Sequence, residues 1–329
     1  MGLFGLVAAG LFADSLMSSS DGAEAETEEA ESSDPPDTEG GTGDLTDYTD
    51  NDDDGTAIDP TPLRLDGTDG DDLLDGTDEA DDVHAGAGAD QIEARDGDDR
   101  LYGEDGADHL AGGAGSDWLE GGAGADALHG EDGDDRLVGG ADDDELAGHN
   151  GADTLDGGLG NDSLLGGDGD DRLSDAAGDD WLSGGFGNDW LSGGEGADTL
   201  DGNEGNDTLD GSAGGPDEQG VDFLNGGDGD DLIALGNSDI ATGGAGADTF
   251  ALSDWLDNGD EMARIMDYAP GEDQLVVIYD ADAHPDPLVT VAPVEGTEDV
   301  TVLLDGVPLA VVQDAAGLDA QTIRLQPAA

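Results

Sequence analysis

Sixteen aspartates stand nine residues apart without a gap: Asp72, Asp81, Asp90, Asp99, Asp108, Asp117, Asp126, Asp135, Asp144, Asp153, Asp162, Asp171, Asp180, Asp189, Asp198 and Asp207. Counted in nines from Gly67, each is the sixth residue of its unit. The eighth is Leu, Ile or Val in all sixteen, from Leu74 through Val83 and Ile92 to Leu209. The fourth is Gly in fourteen units, with Glu79 and Asp142 the exceptions. The first is Gly in thirteen, with Ala85, Ala94 and Asp175 the exceptions. Glycine at positions one, two and four permits backbone angles that a β-carbon forbids. A loop bent in this way turns carbonyl oxygens inward, and the sixth-position carboxylate joins them on the same side. Oxygen donors without nitrogen or sulfur suit a hard cation. A cage of many carbonyls fits Ca2+ better than Mg2+, which keeps its waters.

Such donors need a scaffold. Each unit reads as a loop of six residues followed by a strand of about three, with position eight pointing inward and positions seven and nine outward. One unit cannot bury its single aliphatic residue. Two units back to back make an eighteen-residue coil with a loop at each end. Coils stacked ~4.8 Å apart line the aliphatic residues into a core and set each loop above another. A cation then fits between one loop and the loop two units on, giving up to about 14 places in the regular array. A Gly/Asp-rich spacer without structure has no reason to keep an aliphatic residue at every eighth position.

Beyond Asp210 the pattern loosens. A fifteen-residue unit, Gly211 to Asn225, carries a six-residue insertion around "GGPDEQ"; a regular unit, Gly226 to Ala234, follows, then the eight-residue "LGNSDIAT" and the last clear unit, "GGAGADTFA", Gly243 to Ala251. The runs "DQLVVIYD", "PLVTVAPV", "DVTVLLDG" and "PLAVVQD" are then separated by Gly, Pro and Asp, and predict a short antiparallel β cap. The expected organisation is a short apolar segment over 1–16, a disordered acidic linker over 17–62, a parallel β-roll over 63–251 and a β-rich cap over 252–329. The fold class is all-β.

The chain has 329 residues, 85 acidic against 7 basic, and a formal net charge of -78; the basic residues are all Arg, and there is no Cys. Such a chain repels itself when compact, so it stays open or is neutralised by cations. Nucleic acid and anionic membranes are not expected partners, because both need clustered Lys and Arg. Disulfides and thiolate metal sites are excluded. The apolar run Met1 to Ala13 falls short of the ~20 residues that span a bilayer. It has no preceding Lys or Arg, and Leu6 stands where myristoylation requires Ser or Thr. An apolar tail, an atypical export signal and a peripheral membrane anchor all stay open for it.

The units "GGAGSDWLE" (Gly112 to Glu120) and "GGLGNDSLL" (Gly157 to Leu165) resemble the RTX, or haemolysin-type calcium-binding, repeat. The resemblance spans Gly67 to Ala251 and implies a calcium-binding parallel β-roll. It also implies export through a type I secretion apparatus by an uncleaved C-terminal signal. It makes the sixth-position aspartates side-chain ligands, together with Asp222, Asp231 and Asp248 of the later units. Loop glycines such as Gly112, Gly115, Gly121, Gly124, Gly157, Gly160, Gly184, Gly187, Gly193 and Gly196 would supply carbonyls. Glu79 and Asp142 depart from the pattern, which puts the second and ninth sites in doubt. The stretch "GGAGADTF…RIMDYAPGEDQLVV" is similar to the cap that follows the repeats of serralysin-like proteases.

Other chemistry finds little support. No HExxH, G-x-S-x-G or P-loop occurs. His84, His109, His129 and His149 fall at positions nine, seven, nine and two of well-separated units and are not expected to converge on a metal; His284 lies in the cap. "DNDDDG", Asp50 to Gly55, starts like an EF-hand loop, but Thr61 stands where its Glu belongs, so it reads as linker. Trp118, Trp181 and Trp190, at outward position seven, are expected to pack on neighbouring side chains. Arg100, Arg136 and Arg172, also at position seven, each follow "GDD" and read as local charge relief. Asp254, Asp257, Asp260 and Glu261 read as a polar loop. The expected function is calcium binding by a secreted, non-enzymatic β-roll that folds on the ion. The alternatives are a cell-surface structural or adhesive protein using the roll as a spacer, and an enzyme with its site in the cap.

Overall fold

The computed structural model describes residues 63–212, 220–253 and 262–328. The apolar start, the acidic linker, the "GGPDEQ" insertion and the Asp254 to Glu261 cluster lie outside the described residues.

Two sheets, one of 13 and one of 14 strands, run the length of the array with parallel pairing throughout it, and successive repeat units alternate between them. Each strand therefore pairs with the strand eighteen residues away. In the 13-stranded sheet Trp118 lies beside Arg100 and Arg136, and Leu119 beside Leu101 and Leu137. This is the expected β-roll. The strands are longer than the predicted three residues: Trp118–Ala123 runs from position seven of one unit through position three of the next. The turn is thus confined to positions four to six. The ladder tolerates this because the glycine at position two, Gly122 in this strand, takes a φ of 115° without leaving the sheet.

Alternation along the strands builds the core. The eighth-position residues from Leu74 to Leu209 are buried to within 1% exposure in two facing columns. Position one also points inward, but Gly there leaves room for the loop rather than filling the core. Position seven points outward, where Arg136 lies over the Trp118 ring at 4.8 Å and Arg172 over Trp190 at 3.5 Å. Trp118 and Trp190 thus pack on neighbouring side chains, as expected, and those neighbours are the arginines, whereas Trp181, beside Ser163 and Thr199, is 44% exposed. Cation–π stacking holds these two cations on the sheet surface.

The irregular units keep the register. Phe223–Asp228 pairs with Thr199–Glu204 across an offset of twenty-four residues, and Ile240–Ala245 with Phe223–Asp228 across seventeen. The length changes are absorbed in the turns, because a slip within a strand would turn its aliphatic residue outward. Past Ser253 both sheets continue in parallel through Ala263–Ile265, Gln274–Tyr279 and Arg324–Pro327. Among the described residues, antiparallel pairing is confined to Val289–Pro293, Val300–Leu304 and Val307–Val312. The cap is therefore part continuation of the roll and part meander. A 3-10 turn at Ala320–Thr322 is the helical element among the described residues. No helix of these residues is long and apolar enough to cross a membrane.

Leu155, fully buried in mid-column, and Leu159, 59% exposed at the end of the same strand, give a matched test. With calcium present, Leu155→Ala is expected to lower stability in urea unfolding by about 2–5 kcal/mol. Leu159→Ala is expected to stay within about 0.5 kcal/mol of the parent chain.

Candidate metal centre

The eighteen-residue register places the sixth-position aspartates in two columns, one along each edge of the roll. In one, Asp72, Asp90, Asp108, Asp126, Asp144, Asp162, Asp180, Asp198 and Asp222 are linked, each backbone N–H donating to the Oδ1 of the next. In the other the same bonds run through Asp81, Asp99, Asp117, Asp135, Asp153, Asp171, Asp189, Asp207, Asp231 and Asp248. A typical link, Asp99 N–H to Asp117 Oδ1, measures 2.8 Å. These side chains are at most 5% exposed.

One oxygen of each carboxylate is thereby satisfied. The other is not. In fifteen of them, from Asp90 to Asp231, Oδ2 is buried without a hydrogen-bond partner among the described residues. A buried carboxylate oxygen without a partner costs several kcal/mol or takes up a positive charge. The repeat glycines shape the space around it. A β-carbon on Gly112 would collide with Oδ2 of Asp117 in the same loop. Gly115, at φ 141°, lies so close to the carbonyl oxygen of Gly97 one coil earlier that no side chain fits. Gly121, Gly157, Gly184 and Gly193 take the place of Gly112 in their loops, and Gly124, Gly160, Gly187 and Gly196 that of Gly115. Asp142 keeps the left-handed backbone of position four, at φ 78°. Carboxylate and carbonyl oxygens thus face one another across each gap, a donor set that fits Ca2+ and offers nothing to a soft metal.

Burial sets the electrostatics. It pushes the carboxyls of Asp117, Asp144 and Asp171 up to about 7, against the backbone N–H that pulls them down. Asp99, Asp126, Asp153, Asp189 and Asp207 rise to about 6 for the same reason. One gap is different. Asp175, which replaces the first-position glycine, puts its carboxylate between Asp162 and Asp180, and oxygens of all three lie within 4.8 Å of one another. It accepts N–H bonds from Ala177 at 3.0 Å and Gly158 at 3.1 Å. Burial, then the charge of Asp180, raises its pKa further.

Two members of the columns escape the nine-residue count. Asp239 accepts from Asp222 N–H at 3.2 Å, and Asp273 from Asp248 N–H at 3.1 Å. Asp239 sits fifth in a shortened unit, and Asp273 is beyond the repeats; the signal for each was an Asp two residues before a core aliphatic, Ala241 and Leu275. The histidines need a correction. Their units are well separated in sequence, yet His109, His129 and His149 meet on the outer face of the 14-stranded sheet, with ring centroids 5.2 and 5.5 Å apart. Each follows the last by twenty residues, one coil plus one same-face step along a strand. His84 is on the other sheet, against Tyr102.

Fold and donors together define a cation-binding parallel β-roll. A family model described as the RTX calcium-binding nonapeptide repeat (4 copies) matches residues 64–92, 93–128, 102–137, 129–164, 156–191, 165–200, 183–215 and 218–238. These matches cover more than half of the chain, which belongs to this calcium-binding family. No curated protein matches the sequence. Among solved structures, the extracellular lipase LipA from Serratia marcescens is similar at 18% identity and a TM-score of 0.19, over 84% of this chain and 42% of the lipase. The chain thus spans less than half the length of that protein.

The raised carboxyl values carry a pH dependence. In the unfolded chain these groups return to the ordinary value near 3.8, so the metal-free roll holds its full stability below about pH 4 and loses it as the pH rises through 6 to 7. In a chelator, the β signal in circular dichroism is expected to be present at pH 4 and lost by pH 8. A metal-free signal that instead strengthens toward pH 8 would contradict this.

Proposed function

We propose that the protein is a secreted, non-enzymatic calcium binder whose roll forms when the ion arrives. The observation that carries this reading is the run of buried Oδ2 atoms in two columns, with no cationic side chain among the described residues to meet them. With -78 formal charges and seven arginines, the neutralising charge has to come from solution. In this reading the sixth-position aspartates, with Asp222, Asp231 and Asp248, are the side-chain ligands, and the loop glycines supply carbonyls. The regular array takes up to about 14 ions, each between one loop and the loop two units on.

Without calcium the columns repel and the chain stays open, the form that threads an export channel. At the millimolar calcium found outside cells, weak sites fill. Because neighbouring gaps share each aspartate, filling is cooperative. The roll over 63–251 is the binding domain, and the segment 252–329 caps it and carries the signal for a type I apparatus. The catalytic motifs absent from the sequence favour a structural role for the bound ions.

The test is circular dichroism of the full chain during a calcium titration at pH 7.5. A sigmoidal gain of β signal below several millimolar is expected, and no gain at that concentration would overturn the proposal. Asp135→Asn, in mid-column, is expected to raise the midpoint severalfold. Asp105→Asn, whose side chain is exposed, should leave it unchanged.

A further inference from the structure

The outer face of the 14-stranded sheet carries a second set of metal-ligating side chains, of different chemistry from the loops. His109, His129 and His149 climb the sheet diagonally, one coil at a time, at positions seven, nine and two. The Nδ1 of His129 and the Nε2 of His149 are 3.2 Å apart. Two nitrogens bound to one tetrahedral Zn2+ at 2.0–2.1 Å stand ~3.3 Å apart, so the pair is already at chelating distance. The His109 ring extends the stack, its centroid 5.2 Å from that of His129.

The surroundings are built for access. His129 is beside Ala111 in register, and Glu131 beside Gly113 and His149. The small residues Ala111 and Gly113 leave a groove of about 530 Å3, walled by Glu93, Arg95, His109, His129 and Glu131. Glu131 and His149 hold left-handed backbones, with φ of 78° and 77°, at positions where Gly113 and Gly167 stand in the neighbouring coils.

We propose that His129 and His149 together bind one borderline divalent transition metal ion, of the Zn2+, Ni2+ or Cu2+ class, with water completing its shell. The two nitrogens now share a proton in a hydrogen bond; when both bind metal, each ring carries its proton on its other nitrogen, and none need be lost. Ca2+ does not compete, because imidazole is a poor donor for it. The loops, which offer oxygen alone, rank behind this site for Zn2+ when calcium fills them. The site does not depend on how many calcium ions the loops take.

The experiment is a Zn2+ titration by calorimetry of the full chain in 10-fold excess calcium over the amount that saturates the β signal. One ion per chain is expected. His129→Asn and His149→Asn should each weaken it about tenfold or more, and the double variant should abolish it. His84→Asn, whose ring nitrogens face Asp82 and Glu104 on the other sheet, should change nothing. The β signal and calcium midpoint of every variant should match the parent, since these side chains point outward. Electron paramagnetic resonance of bound Cu2+ reads the ligands in the unmodified chain and should show coupling to at least two imidazole nitrogens. No saturable Zn2+ binding, binding that survives in the double variant, or Cu2+ without nitrogen coupling would overturn the proposal.

Discussion

The structure turns on buried carboxylates that have no cation of their own. Each aspartate of the two columns spends one oxygen on the backbone N–H of the coil before it, and that bond fixes the coil spacing. The same bond aims the other oxygen into a closed gap. A stack that buries like charges in line is self-repelling, and in water alone burial would press each carboxyl toward its neutral form. In the proposed reading a divalent ion in each gap removes the repulsion and completes the oxygen shells together, so that stacking, core burial and ion binding become one event.

The glycines and leucines serve that arrangement from two sides. A side chain at Gly112 would displace the Asp117 carboxylate, and one at Gly115 would strike the coil before it. The aliphatic residue at position eight sets the sheets at the distance that holds the loops in register. The tolerance for irregular units, where offsets of twenty-four and seventeen replace eighteen, shows where the constraint lies: the strand must keep its phase, whereas the turn may change length.

The nine-residue register, the eighteen-residue coil, the inward leucines and the outward tryptophans were all legible in the sequence, because each follows from a single period. What escaped needed two periods at once or a broken one. The histidine cluster depends on adding one coil to one same-face step, so residues that look remote in units are neighbours on the sheet. Asp239 was hidden by a shortened unit. The strands ran longer than expected because Gly at position two bends without leaving the ladder. Asp175 was visible as an exception but not as a third carboxylate in a gap, since only the fold shows that position one points into the column.

The most direct measurement is an anomalous difference map from crystals grown in millimolar calcium. The account predicts two files of peaks, one along each edge of the roll, each peak within about 2.3–2.6 Å of an aspartate Oδ2 and of carbonyl oxygens from two successive coils. A well-ordered roll without such peaks, its aspartate oxygens paired to water or protein donors instead, would contradict it.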